Sequence, residues 1–191
     1  MPRLTPLPPD QWDERLTRLL SASAGGTQEP MHIFATLARH HDLFWRWIGF
    51  GGALLVTGTL PPRLREVVIM RTAYRFDGRY EWAQHIELAE REGVTPEELV
   101  ALGGDLDRGG VEWSPLERAA LAGVDETADD GAVSDGTWSM LAGELDDTEL
   151  IELLMLIAHY MMLSSVLRSL RVPLEPRAEK VAASVPAGPP A

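Results

Sequence analysis

Apolar and polar positions along residues 62–93 recur at helical spacing in two runs separated by a short polar turn. Pro61 and Pro62 fix φ at the start of the first run, where a missing N–H costs little. Val67, Val68, Ile69 and Met70 make that helix apolar nearly all round, which predicts burial on several sides. Asp77 and Gly78 are turn residues. A second helix is expected from near Arg79 to Gly93, with the glycine as a left-handed C-cap.

The rest of the chain follows the same period. Residues 1–9 form a proline-rich lead, and Asp10 is expected to cap a helix that puts Trp12, Leu16, Leu19 and Leu20 on one face. Residues 21–30 read as a loop. Periodicity resumes at Met31 with Ile33, Phe34 and Leu37, and after His40-His41 with Phe44, Trp47, Ile48 and Leu54. Gly51-Gly52 inside that segment costs about 1 kcal/mol per glycine relative to alanine, so a break or a close helix contact is expected there. Thr95-Pro96-Glu97-Glu98 is a capping box for a helix through Leu102, and Ser114-Pro115-Leu116-Glu117 one for a helix through about Thr127. Residues 103–110 are a polar loop. Residues 134–145 give a helix with Trp138, Leu141 and Leu145 inward. Asp147 caps a long final helix that Pro173 stops, and the Ala- and Pro-rich residues 176–191 are expected to be disordered. Strand-like alternation is absent. The fold class is all-α, with short connections between antiparallel neighbours.

Composition narrows the possibilities. A chain of 191 residues with a 45% hydrophobic fraction is most simply one folded domain. A net charge of −12 repels phosphate backbones and anionic lipid heads, which argues against nucleic acid and membrane-surface partners. Residues 150–167 are the longest apolar stretch but contain Glu152 and His159, so they read as a core helix rather than a membrane span. Met1-Pro2-Arg3 begins no apolar leader, and the expected location is cytoplasmic. Zero cysteines exclude disulfides, thiolate metal sites and cysteine nucleophiles.

The candidate chemistry sits on the central pair. Glu81 and His85 are four apart and share a helical face, and Glu66 on the preceding helix can reach them if the pair folds back on itself. A buried carboxylate beside an imidazole fixes its tautomer and raises its basicity, as a general base requires. Each group also has a structural alternative. His85 reads equally as a satisfied core histidine, and Glu66 as half of a helix-locking ion pair with Arg63, Arg65 or Arg71. Tyr80 and Trp82 flank Glu81 and read first as packing residues, second as pocket lining; Gln84 could orient a substrate oxygen. A metal site built from Glu66, Glu81 and His85, with His32, His40, His41 or His159 as extra ligands, remains open, although the Glu-x-x-x-His spacing differs from that of di-iron bundles. His159-Tyr160 forms a second polar island on the last helix, read as a hydrogen-bond node or as a cap on the same cavity.

Arg65-Glu66, Arg71-Thr72-Ala73, Tyr80-Glu81-Trp82 and His85 together resemble the carboxymuconolactone decarboxylase / alkylhydroperoxidase-D-like family. The resemblance extends loosely from about Met31 to Glu175. It implies an AhpD-like helical bundle over 31–175, preceded by a helical extension over 1–30 and followed by the tail. In peroxidase members two cysteines precede the histidine. Counted back from His85 they fall on Gly78 and Glu81, and the family glutamate falls on Glu66, so thiol-peroxidase activity does not carry over. What carries over is cofactor-independent acid–base chemistry, a decarboxylation or related proton transfer on a small carboxylate, lactone or carbonyl compound. His85 would be the general base and acid, with Glu66 or Glu81 orienting it. Arg63 or Arg71 would hold a substrate carboxylate, and Tyr80 and Trp82 would line the pocket. No cofactor or metal is implied, and a homo-oligomer (dimer, trimer or hexamer) is. A metal-dependent oxygenase or hydrolase, or a non-catalytic helical scaffold, are the alternatives.

Overall fold

The computed structural model describes residues 1–23, 30–185 and 188–189. Within them the secondary structure is helical, with no strand: α1 (Glu14–Ser23), α2 (His32–Leu37), α3 (His41–Val56), α4 (Pro62–Arg75), α5 (Arg79–Arg91), α6 (Pro96–Leu102), α7 (Pro115–Asp130), α8 (Asp135–Ala142), α9 (Asp147–Leu170) and α10 (Pro176–Ser184).

Helix α4 is the hub. It packs against α5, α6, α7 and α9, and its run from Glu66 to Ala73 is buried without interruption. Val68 and Ile69 enter one core with Leu141, Leu153, Leu156 and Ile157; Val67 and Met70 enter a second with Trp82, Ile86, Leu99 and Leu121. That is why the sequence carries no polar stripe here: a helix surrounded by neighbours has no solvent face. Asp77 takes a positive φ of 52° in the turn, and Gly93 one of 85° after α5.

The two capping boxes form as expected, and their glutamates do a second job. Glu98 and Glu117 close the N-termini of α6 and α7 and also receive Arg63, at 2.6 and 2.8 Å, while Arg63 donates in addition to the Gly93 carbonyl. One guanidinium therefore ties two helix starts to α4. Arg71 is the buried counterpart. It makes a two-pronged pair with Asp125 (2.7 and 2.8 Å) and donates to the carbonyls of Leu102 and Gly104. Both arginines, expected to hold substrate, are instead occupied by helix-to-helix contacts.

Several expectations need correction. The segment after Glu175 is not disordered over its described part: Pro176 starts α10, which packs on α5 through buried Ala178 and an Arg177–Glu87 pair at 2.7 Å. Its alanines favour helix, and Val181 and Val185 close over the Trp82 cluster. Residues 186, 187, 190 and 191 lie outside the described residues. Asp10 sits in a 3₁₀ turn, and Asp13 accepts the Leu16 N–H (2.7 Å) at the start of α1. Of the loop expected over 21–30, residues 21–23 belong to α1 and 24–29 lie outside the described residues. Trp138 is 44% exposed, because α8 spans two turns and buries Leu141 and Thr137 instead. Asp146, one residue before the expected cap, closes the start of α9, and α9 ends at a left-handed Arg171 before Pro173 is reached.

Helix α3 runs unbroken through Gly51-Gly52. A Cβ on Gly51 would stand 3.5 Å from the His159 ring, so the glycine marks a close crossing of α3 and α9. His159 is stacked on Trp47 at 6.2 Å, burial pushes it down to about 4, and its Nδ1 has no partner among the described residues. It is a neutral packing ring, not a hydrogen-bond node. Among the described residues α9 alone is long and apolar enough to cross a membrane, and half of that stretch is buried here. Its open side carries Ile151, Met155, Met162 and Val166.

Removing Arg71 (Arg71→Met) leaves Asp125 to Arg75 (2.9 Å) and takes this donor from the carbonyls of Leu102 and Gly104 at the end of α6. The expected loss is about 3 kcal/mol of unfolding free energy, read from urea denaturation. A variant as stable as wild type would show that this clamp holds nothing together.

Candidate functional site

The fold-back of α5 on α4 brings Glu66 and His85 together, with His85 Nδ1 and Glu66 Oε2 2.8 Å apart. Arg65 Nε lies 3.4 Å from the other Glu66 oxygen. Burial alone would raise Glu66, but His85 and then Arg65 outweigh it and hold the carboxyl below its ordinary range. An ionised Glu66 only accepts, so the proton sits on His85 Nδ1. In the neutral ring Nε2 is then an acceptor, and the Tyr160 hydroxyl from α9 donates to it at 3.0 Å. Burial, followed by the charges of Glu66 and Glu81, pushes Tyr160 well above its usual range, so it keeps that proton. Both nitrogens of the imidazole are thus engaged within the protein.

Glu81 is different. It lies one turn before His85 on α5, is 3% exposed, and no other side chain among the described residues reaches either of its oxygens. Burial raises it to about 7, opposed weakly by its own backbone N–H and by His85. It borders a cavity of about 440 Å³ between the start of α5 and the C-terminal half of α9. Gly78 and Ser164 share the deep side with Glu81, and Arg79, Arg168 and Arg171 stand at the exposed side. Arg168 is paired with Asp77. Arg79 and Arg171 have no acidic partner among the described residues, so this wall is electropositive on a chain of charge −12.

The sequence-derived candidates therefore separate. Glu66, Glu81 and His85 do gather on neighbouring helices, but Glu81 is the group that meets the cavity and His85 stands behind it. Tyr80 lines the cavity, yet its hydroxyl donates to Glu175 (2.6 Å) and accepts from the Ile33 N–H (3.2 Å). Gln84 is likewise taken by Glu175, at 2.5 Å. Trp82 lies inside the core cluster with Val67 and Met70 and does not line this cavity. Arg63 and Arg71 serve the clamps described above. Among the described residues no three His, Asp or Glu side chains are grouped so as to hold an ion. Sequence reasoning missed Ser164, Arg79, Arg168 and Arg171. The spacing of Tyr160, Ser164 and Arg168, each four apart on an otherwise apolar helix, was the signal available.

Residues 41–126 match the model of the carboxymuconolactone decarboxylase family. Solved structures share the fold over most of their length. The debrominase Bmp8, in a cysteine-to-alanine variant bound to 2,3,4-tribromopyrrole, is 16% identical with a TM-score of 0.76, covering 95% of this chain and 96% of that one. A peroxidase-related protein of the alkylhydroperoxidase AhpD core from Ralstonia eutropha JMP134 is 14% identical with a TM-score of 0.79, covering 92% and 94%. A peroxidase-related protein from Silicibacter sp. TM1040 is 10% identical with a TM-score of 0.78, covering 90% and 91%. At these identities the likeness is one of fold. No curated protein matches the chain.

The raised Glu81 makes a thermodynamic prediction. Folded, the carboxyl keeps its proton up to about pH 7; unfolded, it releases it near its model value of 4.5. The destabilisation is therefore absent below about pH 4.5, grows as pH rises from there to about 7, and is constant above that. Glu81→Gln should raise the melting temperature little at pH 5 and most at pH 8, with about 2–4 °C for each kcal/mol relieved. Circular-dichroism melts across that range check it; a pH-independent difference would contradict the assignment.

Proposed function

We propose that the protein is a cofactor-independent acid–base enzyme of the carboxymuconolactone decarboxylase type, acting on a small carboxylate, lactone or other carbonyl compound. The observation that carries this is Glu81: a buried carboxyl in the lining of a cavity, without a hydrogen-bond partner among the described residues, and poised near pH 7. Such a group exists in both protonation states at neutral pH, so it can take a proton from substrate and later return it. In a decarboxylation the carbanion left after loss of CO₂ would be protonated by the acid form of Glu81. In the reverse sense its carboxylate would remove a proton next to a carbonyl.

The residues around it fit such a task. Glu66, His85 and Tyr160 form a closed hydrogen-bonded row behind Glu81 that fixes the position of the imidazole next to it. Arg79, Arg168 and Arg171 supply a cationic wall for a substrate carboxylate, the task expected of Arg63 and Arg71. Burial excludes water from the carboxyl and keeps its pKa high. Thiol-peroxidase chemistry has no nucleophile here, since the chain contains no cysteine.

Screening small lactones and keto acids for turnover with wild type and Glu81→Gln tests the proposal. A loss of about 10²-fold or more in kcat is expected, with the variant folded and Arg171→Ala raising KM instead. A Glu81→Gln variant that turns over substrate at the wild-type rate would sink it.

A further inference from the structure

Helix α9 has one side that no described residue covers. Along it the exposed positions fall in one line at Ile151, Met155, Ala158, Met162, Ser165 and Ser169, with Val166 and Arg168 beside the last two. The steps alternate between four and three residues, which keeps the line on a single face for about 27 Å. That alternation is the seam by which one helix packs against another. The line carries no charge, and Ile151, Met155 and Met162 are 63, 48 and 45% exposed. The other faces of α9 are already used, with Leu153, Leu156 and Ile157 in one core cluster and Leu163 and Leu167 in another.

The order of large and small residues along the seam decides what fits it. Bulk is concentrated at the start, in Ile151 and Met155, and is lacking at the end, in Ser165 and Ser169; in the middle Ala158 precedes Met162. A second α9 laid antiparallel, centred midway between Ala158 and Met162, sets Ile151 against Ser169, Met155 against Ser165 and Ala158 against Met162. Each pair then joins a large residue to a small one, as close packing requires. A parallel partner in register sets Ile151 on Ile151 and serine on serine. Charge favours the same choice. Asp146 and Asp147 stand exposed at the start of α9, Arg168 and Arg171 at its end, so only the antiparallel arrangement brings acidic ends to basic ones. A lipid surface fits poorly, because half the seam is alanine or serine and a net charge of −12 repels anionic heads.

We propose that the protein binds a second copy of itself through α9, the two helices running antiparallel about a two-fold axis between Ala158 and Met162. Both copies give the same six positions, so the contact closes after two chains. Phe50 of α3, 39% exposed and edge-on to the His159 ring at 5.2 Å, extends the apolar surface beside the centre of the seam. The family resemblance implies self-association without a surface or an orientation, and the seam supplies both.

Sedimentation equilibrium of the full chain from about 1 to 100 µM tests the contact. The expected result is a species of at least twice the 21.0 kDa chain. Met162→Lys should raise the dissociation constant about 10-fold or more and leave the helical circular dichroism unchanged, since that side chain is half exposed in the single chain. Orientation is read separately, on a chain whose lack of cysteine gives a clean background. Ile151→Cys mixed with Ser169→Cys in oxidised glutathione should yield a disulfide-linked pair of unlike chains. Ile151→Cys alone should stay unlinked, its copies lying about 27 Å apart. Wild type that sediments at 21.0 kDa throughout would overturn the proposal, and flotation of that single chain with phosphatidylcholine vesicles would assign the seam to lipid instead. Self-association that Met162→Lys leaves intact would put the contact elsewhere and also overturn it. Linkage of Ile151→Cys to itself would make the helices parallel and overturn the antiparallel pairing.

Discussion

Glu66 and His85 belong to helices that double back on one another, and the 2.8 Å contact between them is the interaction on which the site is built. Neither group could lie where it does alone. The carboxylate is buried between α4 and its neighbours and relies on the imidazole and Arg65 to stay ionised; the imidazole relies on the carboxylate for its tautomer. Once Glu66 fixes Nδ1, the second nitrogen is committed to Tyr160, and α9 is thereby keyed to α5. The apolar packing of α4 against four other helices holds this polar row in register. Such a row is costly unless every member is satisfied, and here every member is.

That same saturation moves the chemistry elsewhere. A histidine with both nitrogens engaged has no free lone pair to offer a ligand, whereas Glu81, one turn earlier in the lining of the cavity, has two buried oxygens without a hydrogen-bond partner among the described residues. In thiol-dependent members of the resembled family, two cysteines would stand at Gly78 and Glu81. In this chain one of those positions is an absence and the other an acid. On the function proposed above, a place in the fold suited to a soft nucleophile has become a place where a proton is exchanged.

Much of this was written legibly in the chain. The two central helices, their turn and both capping boxes follow from proline, glycine and Ser/Thr-x-x-Glu spacing, and the meeting of Glu66 with His85 follows from two helices joined by a three-residue turn. Spacing alone could not say that Glu81, not His85, opens to the cavity: residues four apart share a face, and depth on that face is set by α9, about eighty residues further on. Arg63 and Arg71 looked available for substrate because their acidic partners lie 35 to 54 residues away. The tail looked disordered because alanine and proline dominate disordered linkers as well as short capped helices; its docking depends on the apolar back of α5, which no local pattern reveals. Trp138 looked buried because it is large and apolar, but a helix of eight residues has too few neighbours to cover it.

Glu175 carries a consequence for how this protein is divided into parts. Its carboxyl group accepts from the His32 N–H (2.5 Å), from Tyr80 (2.6 Å) and from Gln84 (2.5 Å), so it pins a segment ahead of the family stretch and the first half of α5 to the chain that follows α9. Tyr160, Ser164, Arg168 and Arg171 also lie beyond residue 126, where the family match ends. The recognisable stretch is therefore not an excisable module. Transplanted into a foreign scaffold it would bring the acid and the imidazole but leave behind the far wall, the hydroxyl and the fastening that gives them a common frame.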